Sequence, residues 1–157
     1  MSVKNNVTRL LDTKKIAYSV YEIPKVKLSA LEVSKLLNIP PENVLKTIVM
    51  YLEKTKKVTL AVVPSTSEVN PKKLAAFLKE KKVSVTTQRE AEALTGLQTG
   101  GISPLALLHK RFEVVVDASA LERDLIVISG GERGMQIQLK TRDMIQLTNA
   151  KTTVITD

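Results

Sequence analysis

Three features of this sequence could do chemistry together: a lysine inside an apolar strand pattern, and two loops that between them hold all six glycines. The first loop is Thr95-Gly96-Leu97-Gln98-Thr99-Gly100-Gly101-Ile102-Ser103-Pro104, and the second is Ser129-Gly130-Gly131-Glu132-Arg133-Gly134. Glycine costs conformational entropy, so it persists where the backbone needs positive φ or a close approach. Ser103 followed by Pro104 marks a helix start, with Ser as cap and Pro at the first helical position. Glycine-rich backbone feeding a helix N-terminus offers N–H groups to a phosphate, a carboxylate or an oxyanion. Two ordinary tight turns would use the same residues. The lysine is Lys46, in the run Val44 to Leu52, which is rich in β-branched residues and apolar on both faces. It lies in register with Val44, Ile48 and Met50, and an unpaired buried charge is costly. Either its amine serves a site, or its stem packs while the amine reaches solvent at the strand end.

The rest of the composition narrows the chemistry. Cysteine is absent, which excludes thiol nucleophiles, disulfides and thiolate metal sites. The single histidine, His109, stands beside Lys110 and Arg111 and reads as a surface residue near a helix end, where cations are favoured. No acidic pair has metal-ligand spacing. The first glycine loop lacks the Gly-Lys-Ser/Thr of a Walker A loop and the glycine spacing of the dinucleotide fingerprint. Backbone amides, one lysine and hydroxyls remain. They suit ester hydrolysis by a positioned water, with an oxyanion held by loop amides, and no metal or cofactor.

Twenty-four basic residues against 16 acidic ones give a net charge of +8, which favours a polyanionic partner, nucleic acid first. Charge of this size also serves solubility. Aromatics are scarce, so the stacking platforms of single-strand readers are missing. The basic segments Lys54 to Lys57, Lys72 to Lys82 and Arg89 to Arg111 are candidates for phosphate contacts, Lys72 with Lys73 first and Lys110 with Arg111 second. No run has membrane-spanning length and no secretory signal opens the chain, so a cytoplasmic protein is expected.

Length predicts a single domain over residues 1–157. Helices are predicted from Val3 to Lys15 with Ser2 as cap, from the capping boxes at Ser29 and Thr87, from Asn70-Pro71, from Pro104, and from a Thr141 cap. Strands are predicted at 17–21, 44–52, 58–63, 83–86, 112–116, 125–129, 135–139 and 152–155. The order has no regular βαβ alternation, which is an α+β pattern.

The Lys46-Thr47 strand, the segment Thr95-Gly96 to Gly100-Gly101-Ile102-Ser103-Pro104, and Ser129 to Gly134 occur in the order seen in the YbaK/EbsC family. The chain resembles a free-standing member over nearly its whole length. The family is similar to the editing domain of bacterial prolyl-tRNA synthetases. The resemblance implies an α+β fold with a mixed, barrel-like sheet flanked by helices. It also implies an enzyme that hydrolyses the ester of mischarged aminoacyl-tRNA, mostly Cys- or Ala-tRNA(Pro). Trans-editing in translation quality control follows, with prolyl-tRNA synthetase as the candidate protein partner.

The resemblance also assigns roles. Lys46 would contact the substrate's 3′ end, and Thr47 would line the same site. The amides of Gly100, Gly101 and Ile102 would face the scissile ester, and Pro104 closes this G-x-x-x-P loop. A Cβ at Gly101 would crowd substrate or distort these amides. Thr95, Leu97 and Ser103 fall within the substrate-binding segment, although family members often carry Tyr or Phe where Leu97 stands. Ser129, Gly130 and Gly131 would close the pocket from the other side. Tyr18 or Tyr21 would match an early pocket aromatic. The nucleophile would be water or a group of the substrate itself. A non-catalytic RNA-binding module of the same fold is the competing reading. A small-molecule anion binder would not need the +8 surface.

Overall fold

Capping residues set the helix starts in the computed structural model, which describes residues 4–157. Helix α1 (Asn6–Thr13) opens on a capping box of Asn5 and Thr8; the expected Ser2 cap lies outside the described residues. Ser29 with Glu32 opens α2 (Ala30–Leu37), and Asn70 with Pro71 opens α3 (Pro71–Leu78). Thr87 with Glu90 opens α4 (Gln88–Thr95). Helix α5 (Thr141–Thr148) does not start on a Thr141 cap. Lys140 is its cap residue, and the Thr141 hydroxyl donates instead to the Arg123 carbonyl. The segment Pro104–Lys110 is helical as expected but of the tighter 3₁₀ form, with Ser103 as cap.

Eight strands follow the predicted spans closely: β1 (Tyr18–Glu22), β2 (Leu45–Leu52), β3 (Val58–Pro64), β4 (Val83–Val85), β5 (Glu113–Asp117), β6 (Leu125–Ser129), β7 (Met135–Lys140) and β8 (Lys151–Thr153). They form a three-stranded antiparallel sheet, β1-β7-β6, and a five-stranded mixed sheet, β4-β2-β3-β5-β8. In the larger sheet β4, β2 and β3 are antiparallel, while β3, β5 and β8 are parallel. The expected barrel-like sheet is corrected here, because neither sheet closes. Strand β4 is short and pairs with β2 only over Met50 to Leu52, and closure would need continuous ladders from β6 to β2 and from β8 to β1, which are absent among the described residues. Among the described residues a single bridge, Val44 to Val127, joins the two sheets.

The main core lies between the sheets. Leu45, Val49, Leu60 and Val62 of the larger sheet share it with Ile126, Ile128, Ile137 and Leu139 of the smaller. A second cluster, with Met50, Ala61, Val63 and Leu74, packs α3 on the opposite face of the larger sheet. Strand β3 is therefore buried on both faces, which is why its sequence does not alternate. Helix α2 covers the outer face of the smaller sheet through Val33, Val44 and Val127. Among the described residues no helix is long and apolar enough to cross a membrane.

Asp117 ties the C-terminal segment to the end of β5. It is 2% exposed. It accepts hydrogen bonds from the amides of Ser119 (3.2 Å) and Ile155 (2.8 Å) and from the hydroxyls of Ser119 and Thr156. Burial alone would raise its pKa, but these donors outweigh it and hold the carboxyl below its ordinary value of 3.8. A depressed folded-state pKa gives stability that is present above the unfolded value and lost as pH falls through the folded one. Asp117→Asn is expected to cost about 1.5–3 kcal/mol at neutral pH, the range for hydrogen bonds to a charged group. It should also flatten the loss of stability below about pH 4. Thermal melts of both proteins from pH 7 to 3 check this, and parallel pH curves would contradict it.

Candidate active site

The short β4 leaves part of β2 uncovered. Thr86 extends the β4 pairing by one hydrogen bond, from its amide to the Val49 carbonyl (3.1 Å). The next contact along that edge is the Val44–Val127 bridge. Between them the β2 edge is open, and a cleft of about 370 Å³ occupies the gap. Backbone direction alternates along a strand. The Val44 carbonyl accepts from Ser65 and the Leu52 amide donates to Lys57, both on the β3 side, whereas Val49 faces the other way. By that alternation Thr47 turns its N–H and C=O toward the open edge.

Lys46 and Thr47 both line the cleft, on one wall with Val44 and Ile48. The lysine side chain is 22% exposed, and its Nζ lies 2.9 Å from Oε1 of Glu68, which is 84% exposed. The stem is packed and the amine reaches an exposed carboxylate, the second of the two alternatives read from the sequence, and the residue also lines the cleft. An ion pair to so exposed a carboxylate is weak, and an arriving anion can replace it.

The first glycine loop forms the facing wall through Thr99, Gly100 and Ile102. Thr99 is gripped on both sides. Its amide donates to the Glu92 carboxylate (2.8 Å), and its carbonyl accepts from Nε of Arg133 (2.8 Å). The Thr99 amide also holds the Glu92 carboxyl below its ordinary range. Gly100 has φ of +95°, a conformation L side chains rarely adopt. The amides of Gly100 and Ile102 make none of the hydrogen bonds among the described residues.

Gly101 differs from its two neighbours in where its amide goes. Its amide donates to the Gln98 carbonyl (2.8 Å), and the residue is buried away from the cleft. A Cβ there would stand 2.8 Å from the Glu132 carbonyl carbon and 2.9 Å from the Arg133 nitrogen. The two glycine loops thus pack backbone to backbone, and Gly101 is the point of contact.

Of the second loop, Ser129 lines the cleft. Gly130 and Gly131 sit behind it. The Gly130 carbonyl accepts from the Asn5 side chain (2.9 Å), and Gly131 faces Ala106 and Val7. Thr95, Leu97, Ser103 and Pro104 do not line the cleft. The Thr95 hydroxyl donates to the Ala91 carbonyl (2.7 Å), and Leu97 packs on the main core. Ser103 is fully buried and accepts from the Leu105 amide (3.2 Å). Pro104 is buried at the start of its 3₁₀ segment. These residues shape the turn that presents Gly100 and Ile102.

Neither early tyrosine lines the cleft. Tyr18 packs toward the main core and donates to Asp12 (2.8 Å). Tyr21 is on the α2 side, directly across from Gln136 in the β1–β7 pair. His109 is exposed.

Sequence reasoning missed Gln136, the α2 lead-in from Lys27 to Ala30, and the Glu92–Thr99–Arg133 clamp. Gln136 and Gln138 alternate with Met135, Ile137 and Leu139, a polar outer face that marked where the smaller sheet meets something other than core. The clamp had no sequence signal, since Glu92 and Arg133 meet only through the fold.

A family model described as "Aminoacyl-tRNA editing domain" matches residues 25–147. "Putative Cys-tRNA(Pro)/Cys-tRNA(Cys) deacylase EbsC" of Enterococcus faecalis is 36% identical over 155 residues, which is 98% of this chain and 93% of that protein. The chain belongs to the YbaK/EbsC family of aminoacyl-tRNA editing domains. Among solved structures, that of "hypothetical protein APE2540" superimposes with a TM-score of 0.86 at 19% identity, covering 98% of this chain and 100% of that one. The structure of "a putative trans-editing enzyme for prolyl tRNA synthetase" gives 0.82 at 19% identity, covering 99% of each chain. At that identity the likeness is one of fold.

Proposed function

We propose that this chain acts as one editing domain that hydrolyses the ester of mischarged aminoacyl-tRNA in trans, with Cys- or Ala-tRNA(Pro) as substrate. The observation that carries the reading is the meeting of Lys46, Thr47, Gly100 and Ile102 around one cleft in a member of this family. Cysteine enters through the name of the 36% identical relative, and prolyl-tRNA synthetase is the partner whose errors would be cleared. Water adds to the ester carbonyl carbon, and the carbonyl electron pair moves onto oxygen. The amides of Gly100 and Ile102 stabilise that oxyanion. Collapse expels the ribose oxygen of the terminal nucleotide, which takes up a proton, leaving free amino acid and tRNA. Lys46 holds the negative charge of the 3′ end in place of Glu68. A panel of tRNAs charged with cysteine, alanine and proline tests the assignment. Faster release of cysteine or alanine than of proline is expected from tRNA(Pro). Tight tRNA binding with no release from any member would leave the RNA-binding module instead.

Arg133 is expected to act through the Thr99 carbonyl. Arg133→Gln should lower kcat roughly tenfold or more by loosening the loop, because small misplacements of reacting groups are costly, with KM little changed. Steady-state constants check this. A raised KM with intact kcat would mean that Arg133 binds substrate directly.

A further inference from the structure

The positive charge of the chain is concentrated in one part of the fold. Eight lysines against three glutamates between Glu53 and Lys82 supply +5 of the net +8. Folding gathers them further. The β2–β3 turn is closed by the Leu52 amide donating to the Lys57 carbonyl (2.9 Å), and the Glu53 amide donates to the Lys82 carbonyl (3.1 Å). Lys54 and Lys57 therefore stand beside Lys81 and Lys82, at the end of β2 remote from Lys46. A groove of about 620 Å³ continues along α3, lined by Lys72, Lys81 and Lys82, with Asp157 bonded to Asn70 on its wall. Lys54, Lys57, Lys72, Lys81 and Lys82 are exposed and take part in none of the ion pairs among the described residues. Lys56 differs, being held by Glu53 (3.5 Å) and the Tyr51 ring (4.9 Å). Lys56 and Lys79 even occupy left-handed backbone, with φ of 61° and 59°, where Gly or Asn is the less costly choice. The α3 C-terminus favours a cation at Lys79, but no helix end explains Lys56.

We propose that this lysine face docks the sugar-phosphate backbone of a base-paired RNA stem. It rests on the reading of the cleft as the site of an aminoacylated 3′ end. From Lys46 to Leu52 the strand advances roughly 20 Å at about 3.4 Å per residue, so a terminal nucleotide at Lys46 can continue into a duplex that reaches the lysines. A-form duplex is read by shape and backbone, not by stacked bases, which suits a face of point charges with few aromatics.

The test uses the full chain. Lys54, Lys57, Lys81 and Lys82 are reversed to Glu together. The control reverses Arg9, Lys14, Lys140 and Arg142, four exposed cations elsewhere, for the same change in net charge. Three probes are used: an uncharged RNA hairpin across a salt series, aminoacyl-tRNA, and an aminoacylated CCA trinucleotide too short to reach the lysines. The lysine-face variant is expected to lose at least about tenfold in hairpin affinity, with a salt slope flatter by about one unit per lost phosphate contact. Its KM for aminoacyl-tRNA should rise, while kcat and trinucleotide turnover stay level. The control should shift hairpin affinity by no more than about threefold, since distant charges are screened. A Gln set at the same four lysines should show the same pattern more weakly, which separates lost contacts from misfolding. Unchanged hairpin affinity in the lysine-face variant, or an equal loss in the control, overturns the proposal. If wild type releases no amino acid from either charged substrate, the deacylase reading fails while the hairpin series still decides the surface.

Discussion

Lys46→Ala is expected to lower deacylation at least about a hundredfold, comparable to losing an oxyanion donor, without unfolding the protein. The stem of Lys46 packs beside the strand, but its amine contributes one ion pair to an 84% exposed glutamate, and such pairs add little stability. The chain therefore gains almost nothing for its fold by placing a cation in an otherwise apolar strand. The same amine at the mouth of the cleft gains a great deal once a phosphate or a developing oxyanion is next to it, because water is partly excluded there. Single-turnover rates and thermal melts on the same preparation decide this. Near-wild-type turnover would remove Lys46 from the chemistry. Lys46→Arg is a useful companion, since charge is retained while the compact ammonium is lost.

Gly101→Ala is expected to damage stability and turnover together. From the sequence, a Cβ at Gly101 was expected to crowd substrate or distort the loop amides. The structure directs it into the backbone of Glu132 and Arg133, at 2.8–2.9 Å. Backbone cannot yield as a flexible side chain does, so the second loop must move away. Overpacking of this kind costs about 1–3 kcal/mol. The movement also carries Arg133 away from the Thr99 carbonyl and so releases the strand of loop that presents Gly100 and Ile102. Gly96→Ala is the comparison, because Gly96 has φ of +73° but nothing within 4 Å of its Cβ position. It should show the conformational cost alone, about 1 kcal/mol, with turnover preserved. A Gly101→Ala protein that melts and turns over like wild type would mean that the loops are not coupled.

The glycines were informative because the chain spends one of the six on a helix end, Gly96 at the close of α4. α2, α3 and α5 finish on Asn38, Lys79 and Asn149 in left-handed backbone, so glycine here marks loop geometry at the cleft more than generic capping. The helix starts were legible for a similar local reason, since Ser29, Asn70 and Thr87 each bond to amides two or three residues away. What was not legible depends on distance in the chain. The open edge of β2 exists because β4 is short, and pairing length is settled by tertiary packing. Gln136 reaches the cleft because β7 lies between β1 and β6, an order no local pattern encodes. The separation of Gly101 from the other loop amides depends on a turn bond to Gln98 and on contact with a segment some thirty residues away. The family resemblance pointed to the glycine loops and treated the three amides as equivalent. In the structure two of them border the cleft, and the third holds the loops together.

The most direct measurement of the central claim is release of labelled cysteine from Cys-tRNA(Pro) by purified protein, in a single turnover with enzyme in excess and the spontaneous loss of the ester run alongside. The account predicts release at least about a hundredfold above the spontaneous rate, a floor set well below usual enzymatic accelerations because the ester is already activated, and its collapse toward that rate with Lys46→Ala. Release at the spontaneous rate from cysteinyl and alanyl tRNA alike, by folded protein that binds the tRNA, would contradict it.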